Sequence, residues 1–144
     1  MRKLGMILAL ILFFTGSVFA ERVTQGEAIN HFNEGVKFQN KGNFAAAASA
    51  YQKTIYLEPG PELKKLALNN LGAMFAKQED FTSAEAAFRQ ALDIDAGYKN
   101  ALANLGYLYY LKGDEETALK FLMKAEGLKE GKSDFVTESK QGQF

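Results

Sequence analysis

The sequence predicts an all-α fold in which three similar helix–turn–helix units share one core. Gly35, Gly72 and Gly106 occupy equivalent positions in three similar segments, 37 and 34 residues apart. A repeat of this length is typical of arrays of small helical units, because one unit alone cannot bury its apolar face. The 144-residue chain is 47% hydrophobic, which is enough for one continuous core and indicates a single domain.

Six helices are predicted, two in each unit. Apolar side chains recur at helical spacing through the array, and short runs that contain Gly, Asn or Asp interrupt them. The predicted helices lie near residues 25–40, 44–57, 62–77, 81–94, 98–111 and 115–128.

A two-residue break separates the helices of each unit. The breaks are Gly42-Asn43, Glu79-Asp80 and Gly113-Asp114. The Asn or Asp comes directly before the second helix, where its short side chain accepts a hydrogen bond from otherwise unpaired backbone N–H groups. The three extra residues between the first two units coincide with Pro59-Gly60-Pro61. Because proline ends one helix and is favoured in the first turn of the next, we expect a lengthened turn there.

The three repeated glycines are predicted to mark helix crossings and not a binding site. A residue without a side chain lets two helix backbones approach closely, while larger side chains at helical spacing fill the space on either side. Gly35, Gly72 and Gly106 therefore set packing geometry.

The second and third units share one set of side chains. In the second unit the set is Leu68, Leu71, Gly72, Phe75, Ala84, Phe88 and Ala91, and in the third it is Leu102, Leu105, Gly106, Tyr109, Ala118, Leu122 and Ala125. This pattern resembles the tetratricopeptide repeat (TPR) family. The resemblance implies a right-handed α-solenoid of about three helix–turn–helix units, within an array over residues 21–128 whose repeats lie near 28–61, 65–98 and 99–132.

The first unit is a degenerate copy of the other two. It keeps Gly35, Phe38, Ala47, Tyr51 and Pro59. However, His31, Glu34 and Thr54 stand where the family usually has an aromatic residue or Leu, a Leu and an Ala.

Residues 1–20 have the pattern of a secretory signal peptide. A basic start precedes an apolar run over residues 4–14, and small residues lead up to Ala20. Cleavage between Ala20 and Glu21 predicts an exported protein, in a bacterial periplasm or secreted. Two alternatives stay open: a buried helix of the domain, and an uncleaved membrane anchor, although this run is shorter than the ~20 residues that span a bilayer.

Charge and cysteine content exclude several partners and cofactors. The chain has 17 basic and 17 acidic residues, and loss of Arg2 and Lys3 with the signal leaves 15 against 17. Because the lysines are spread among the helices and do not form a clustered basic face, we expect no nucleic-acid partner. Cysteine is absent, which removes disulfides, thiolate metal sites and a lipoprotein anchor, and no cofactor is predicted.

The C-terminal segment, residues 129–144, is predicted to be a polar tail or a short capping helix. Glycines and serines interrupt any sustained helical pattern there. The only helix candidate, residues 133–141, has Phe135 and Val136 with which to cover the last repeat.

The resemblance implies that the first helix of each unit lines a concave groove that captures an extended peptide or a helix. Carried over by position, the groove residues are Phe32, Val36, Gln39, Asn69, Ala73, Ala76, Asn100, Ala103, Tyr107 and Tyr110. In each unit three of them repeat at i, i+4 and i+7, which is one helical face. The set contains no basic residue, so we expect an apolar strand or helix as ligand, and not the acidic chaperone C-terminus that some family members grip.

Tyr107 and Tyr110 are the strongest predicted contacts in this groove. The third unit already has Leu102, Leu105 and Tyr109 for its core, and a surplus tyrosine offers a large contact area with one hydroxyl. The alternative is that both pack against the C-terminal segment.

The asparagines of the array and the groove residues of the first unit have separate assignments. Asn69 is predicted to hydrogen-bond a ligand main chain, whereas Asn70 and Asn104 face solvent or bridge repeats. Phe32 and Val36 either line the groove or form the core face of a degenerate first helix.

No catalytic residue or metal site is predicted. His31 is the only histidine, has no cysteine to pair with, and stands at a position normally filled by a packing side chain. The acidic run Asp114-Glu115-Glu116 lies at a helix N-terminus, where the helix dipole favours negative charge without a metal.

These observations favour a non-catalytic protein-interaction module or scaffold in the cell envelope, with a protein or peptide partner. Contact with the membrane is expected only through the signal peptide, and self-association through an open end of the array is a further option. The competing hypotheses are a membrane-anchored assembly factor that keeps its N-terminal segment and a regulatory subunit of an envelope enzyme.

Overall fold

Six helices connected by short turns make up residues 24–128, the part of the chain that the computed structural model describes. α1 covers residues 24–40, followed by α2 (Phe44–Tyr56), α3 (Pro61–Lys77), α4 (Phe81–Ile94), α5 (Lys99–Leu111) and α6 (Glu115–Ala125). The predicted all-α solenoid is confirmed, and no strand occurs in this range.

Two predictions lie outside the described residues: the signal peptide with its cleavage between Ala20 and Glu21, and the tail or capping helix over residues 129–144. Within residues 24–128, no helix is long and apolar enough to cross a membrane.

The turns inside the three units share one geometry. The second residue after each first helix has a left-handed backbone, with φ of 73° at Gly42, 63° at Glu79 and 79° at Gly113. In the second unit the Glu79 N–H donates to the Ala76 carbonyl at 3.1 Å and the Asp80 N–H donates to the Phe75 carbonyl at 3.0 Å. This pair of bonds is the Schellman motif, and the other two turns have the equivalent pair.

The predicted N-caps are confirmed in all three units. The side-chain oxygen accepts from the backbone N–H three residues ahead, at 3.2 Å for Asn43, 3.0 Å for Asp80 and 3.0 Å for Asp114. Hydrogen bonds from Ser83 lower the pKa of Asp80, and hydrogen bonds from Thr117 lower that of Asp114. The same three residues donate the last backbone bond of the preceding helix, so each closes one helix and begins the next.

The repeated glycines lie at helix crossings, as predicted. A Cβ atom on Gly35 would lie 2.6 Å from the Tyr51 ring, one on Gly72 would lie 2.7 Å from the Phe88 ring, and one on Gly106 would lie 2.7 Å from Leu122. Each glycine therefore packs against the large side chain of the second helix in its own unit.

The core passes from unit to unit without a break. One buried cluster joins the first two units through Tyr51, Leu71 and Met74. A second cluster joins the last two units through Phe88 and Leu105. All five side chains are at most 6% exposed, so neighbouring units stabilise each other by burying shared apolar surface.

The last helix ends earlier than predicted. α6 stops at Ala125, three residues before the predicted end, because Gly127 takes a left-handed backbone with φ of 72°. The Leu128 N–H then donates to the Met123 carbonyl at 2.9 Å and closes another Schellman motif.

The lengthened turn predicted before α3 is wrong, because residues 57–60 connect α2 to α3 and residues 95–98 connect α4 to α5, four residues in each case. The extra residues instead lengthen α3, which begins at Pro61 and has 17 residues against 13 in α5. Proline is favoured in the first turn of a helix, so Pro61 begins α3 early.

Candidate functional site

The predicted groove lies along α1, α3 and α5, the first helices of the three units. Between α3 and α5 it deepens into a cavity of about 460 Å³, which is within the usual size range of ligand pockets. The cavity is lined by Ala73, Ala76, Lys77, Glu79, Phe81, Phe88, Asn104, Tyr107, Leu108 and Leu111. The cavity thus brings together three predicted groove residues, Ala73, Ala76 and Tyr107. Because the alanine side chains are small, they leave open space next to the Tyr107 ring.

Tyr107 and Tyr110 are the two exposed tyrosines of this helix. Their side chains are 59% and 61% exposed, and neither hydroxyl bonds another residue in the described part of the chain. Tyr109 differs, because it is half-buried and its hydroxyl donates to Glu85. A large aromatic surface that has no partner in the fold is suited to contact a ligand.

A chain of polar side chains links the first helices beneath the groove. Asn104 Nδ2 donates to Asn69 Oδ1 at 2.9 Å, and Asn69 Nδ2 donates to Asn70 Oδ1 at 3.4 Å. On the far side the Tyr51 hydroxyl donates to Gln39 Oε1 at 2.8 Å. Burial raises the pKa of Tyr51, and a hydrogen bond with the Asn70 side chain partly offsets the rise. The chain of side chains therefore runs from α5 to α3 and, through Tyr51 of α2, on to α1.

This network changes the interpretation of the asparagines. Asn69 is 7% exposed and both ends of its amide have partners, so its side chain does not face a ligand as an unpaired group. Asn104 bridges two repeats, which was one of the two expectations for it, and it also lines the cavity.

The groove positions of the first unit belong to its packing. Phe32 and Val36 contact the buried cluster of the first two units, and the Phe32 ring centroid lies 5.5 Å from that of Tyr51. Gln39 accepts from the same tyrosine. The structure thus favours the alternative in which Phe32 and Val36 form the core face of α1.

The remaining predicted residues lie beside the cavity without lining it. Asn100 is exposed and its Nδ2 donates to the Tyr98 hydroxyl at 3.4 Å, while Ala103 is half-buried. Tyr110 is one helical turn beyond Tyr107, so it extends the same face toward the end of α5.

The charged groups near the groove do not form a catalytic or metal-binding set. His31 Nδ1 lies 3.0 Å from Glu34 Oε2 on the same helix, as an ordinary partly exposed pair. Among residues 24–128, no three His, Cys, Asp or Glu side chains cluster as metal ligands would.

A polar cluster that the sequence did not predict joins α4 to α5 and the residue after it. Tyr109 donates its hydroxyl to Glu85 Oε1 at 2.6 Å, Arg89 Nη2 lies 3.0 Å from the same oxygen, and Lys112 Nζ lies 3.0 Å from Glu85 Oε2. The Tyr109 hydrogen bond, followed by those from the two cations, lowers the pKa of Glu85 to about 2. The sequence feature that pointed to this cluster is the i, i+4 spacing of Glu85 and Arg89. This spacing allows an ion pair on one helix, but it does not indicate that a tyrosine of the next helix joins the pair.

The second and third units are also the part of the chain that matches a family model. The model, described as Tetratricopeptide repeat, matches residues 67–130. Residues 67–130 carry tetratricopeptide repeats. The first TPR unit lies outside the matched range, in agreement with its degenerate set of side chains.

Curated relatives of this TPR chain include two proteins called photosystem I assembly protein Ycf3. The protein from Acaryochloris marina is 29% identical over 109 residues, which cover 76% of this chain and 66% of the relative. The protein from Cyanophora paradoxa is 28% identical over 102 residues, which cover 71% and 59%. The TPR chain thus spans less than two thirds of the length of these relatives.

A solved structure similar to this TPR chain is the second TPR domain of Spaghetti (RPAP3), bound to the HSP90 peptide SRMEEVD. Its TM-score is 0.68 at 24% sequence identity, and the match covers 76% of this chain and 98% of that domain. This similarity shows a shared fold.

Proposed function

We propose that this protein is a non-catalytic interaction module that holds an apolar peptide or helix of a partner protein in the groove between α3 and α5. The observation that carries the proposal is the cavity of about 460 Å³ lined by Ala73, Ala76 and the exposed ring of Tyr107. Because the walls of the cavity are mainly apolar, transfer of an apolar side chain from water into it is favourable.

The chemistry of the groove also limits the ligand. The predicted groove positions carry no Lys or Arg, and the one cation at the cavity, Lys77, has Glu79 beside it in the wall. An acidic ligand gains little from such a nearly neutral surface. The bound peptide in the structurally similar TPR domain supports a peptide-binding role for the fold. The nearly neutral groove of this chain supports a ligand less acidic than the peptide SRMEEVD.

We further propose that the protein acts in the assembly of a larger complex after export to the cell envelope. The assembly role is supported by the names of the Ycf3 relatives. The export rests on the basic and apolar pattern of residues 1–20.

Substitution of Tyr107→Ala together with Tyr110→Ala tests the groove. The double variant is expected to lose partner proteins captured from the native envelope and identified by mass spectrometry, because it removes the exposed aromatic surface. Its helical circular dichroism is expected to match that of the wild type, since both rings are more than half exposed.

Tyr56→Ala is the matched control. Tyr56 is 84% exposed on α2, away from the cavity, so this variant should capture the same partners as the wild type. Equal capture by the double variant and the control would contradict the proposed function.

A further inference from the structure

The outer side of α6 exposes apolar side chains at the end of the described array. Leu119 is 59% exposed, Leu122 is 41% exposed and Leu128, just past the helix, is 60% exposed. Together these three residues form what we call the α6 face. A patch of neighbouring leucines on an otherwise polar helix points to a surface that contacts another element.

The preceding unit shows what kind of element covers such a face. The residues 34 positions earlier in the repeat are Glu85, Phe88 and Ile94. Each of them contacts the next unit, as the following interactions show. Phe88 is in one buried cluster with Leu105 and Leu108, and Ile94 packs against the cluster that contains Ala101 of the next unit. Glu85 accepts from Tyr109 and pairs with Lys112. In the middle of the array, the equivalent face is therefore covered by a helix.

Acidic side chains flank the α6 face at both ends. Glu115 is four residues before Leu119 and Glu126 is four residues after Leu122, so helical geometry places both carboxylates on the same side as the leucines. Both are exposed, and neither forms an ion pair with another residue of the described chain. The corresponding positions in the preceding unit are the apolar Phe81 and Leu92.

We propose that the α6 face is a second docking site, which takes a helix of a partner protein that has an apolar stripe flanked by Lys or Arg. The internal interface between α4 and α5 has the same chemistry, since Phe88 is covered by apolar residues of α5 while Lys112 pairs with Glu85 at 3.0 Å. A helix with an apolar stripe and flanking basic residues would bury the leucines and form ion pairs with the two carboxylates.

Charge argues against a second copy of this chain as the occupant. If two α6 helices packed antiparallel about a twofold axis, Glu115 of one copy would face Glu126 of the other, and the reverse contact would repeat the repulsion. A basic partner helix has no such cost.

Binding of labelled synthetic helices to the full chain tests this site by fluorescence anisotropy. One peptide carries a leucine stripe flanked by lysines, and the other has glutamates in place of the lysines. The lysine peptide is expected to bind more tightly by roughly three- to tenfold, as expected for a few exposed ion pairs. Glu126→Lys is expected to shrink or reverse this preference.

Leu119→Ser is expected to weaken binding of the lysine peptide by roughly tenfold, because it removes an apolar contact from the middle of the site. Leu119 is chosen over Leu122 because Leu122 also packs on Gly106 within the fold. Leu66→Ser, which changes a 39% exposed leucine on α3, is the matched control and should leave binding unchanged. The Tyr107→Ala, Tyr110→Ala variant should also still bind, which separates this site from the groove.

Several results would overturn the proposal. One is equal binding of the two peptides, and another is no effect of Leu119→Ser. A dimer that Leu119→Ser dissociates, seen by light scattering, would assign the face to a second copy. Binding that appears only after removal of residues 129–144 would assign it to the chain's own C-terminal segment.

Discussion

Single residues determine where the helices of this array cross and where they turn. A Cβ atom on Gly72 would lie 2.7 Å from the Phe88 ring, which is 1% exposed and has little room to move. The turn residue of the second unit is less well matched to its backbone. Glu79 has φ of 63°, whereas the first and third units have glycine at the equivalent position.

Glu79→Gly is predicted to stabilise the protein by about 0.5–1 kcal/mol, because a left-handed backbone strains a residue with a Cβ and does not strain glycine. Thermal denaturation should show a rise in Tm of a few degrees. Glu79→Gln keeps the strained backbone without the charge, so it should change Tm little.

The reciprocal substitution provides a second check on the same cause. Gly113→Glu places a side chain at φ of 79° and is predicted to lower the free energy of unfolding by about 1 kcal/mol. If Glu79→Gly and Gly113→Glu shift Tm in the same direction, the backbone explanation is wrong.

Neighbouring helices are held together by polar contacts as well as by the apolar core. Glu85 on α4 accepts from Tyr109 on α5 and pairs with Lys112, the residue directly after α5. The Tyr109 ring also stacks on Phe121 of α6 at 5.6 Å between centroids. The cluster therefore connects one helix of the second unit to both helices of the third.

The lowered pKa of Glu85 predicts how stability depends on pH. This pKa is about 2 in the folded protein against 4.5 for an unperturbed glutamate, so the stabilisation is fully present above about pH 5 and is lost as the pH falls toward 2. Glu85→Gln should lower the free energy of unfolding by about 1–2 kcal/mol at pH 7, allowing for solvent screening of a side chain that is 22% exposed. The deficit relative to the wild type should shrink at pH 3.

Urea denaturation of both proteins at pH 7 and pH 3 measures this difference. Asp80 and Asp114 also have lowered pKa values, so only the difference between variant and wild type isolates Glu85. Glu116→Gln is the control, because Glu116 is 82% exposed in its pair with Lys120 and should contribute almost nothing at either pH. A deficit for Glu85→Gln that stays constant with pH would contradict the assignment.

Across the whole molecule, the sequence predicts the local structure of each unit better than it predicts the contacts between units. The repeat spacing of Gly35, Gly72 and Gly106 was sufficient to predict the helix pairs, because the same local packing recurs three times. A bridge between repeats was one expectation for Asn104, but its partner Asn69 could not be predicted. The two residues are 35 positions apart, and their side-chain directions depend on how two units stack. The packing of Phe32 against Tyr51 was ambiguous for the same reason.

The proposed export predicts the first residue of the mature protein. Protein isolated from its native host should begin at Glu21, because Ala20 ends a small-residue sequence that a signal peptidase reads. Intact-mass measurement together with N-terminal sequencing checks this. A chain that retains residues 1–20 in a membrane fraction would contradict cleavage and favour the anchored assembly factor.

The double use of Asn43, Asp80 and Asp114 has a consequence for which insertions the array tolerates. Since each of these residues closes one helix and caps the next, a residue inserted beside it would break the bonds of two helices at once. The start of a unit lacks this constraint, and the extra length of this chain occurs there, since α3 has 17 residues against 13 in α5 while both connections between units have four. Length variation in related chains should therefore fall at the start of a unit, where it alters the stacking of units and leaves the turn inside each helix pair intact.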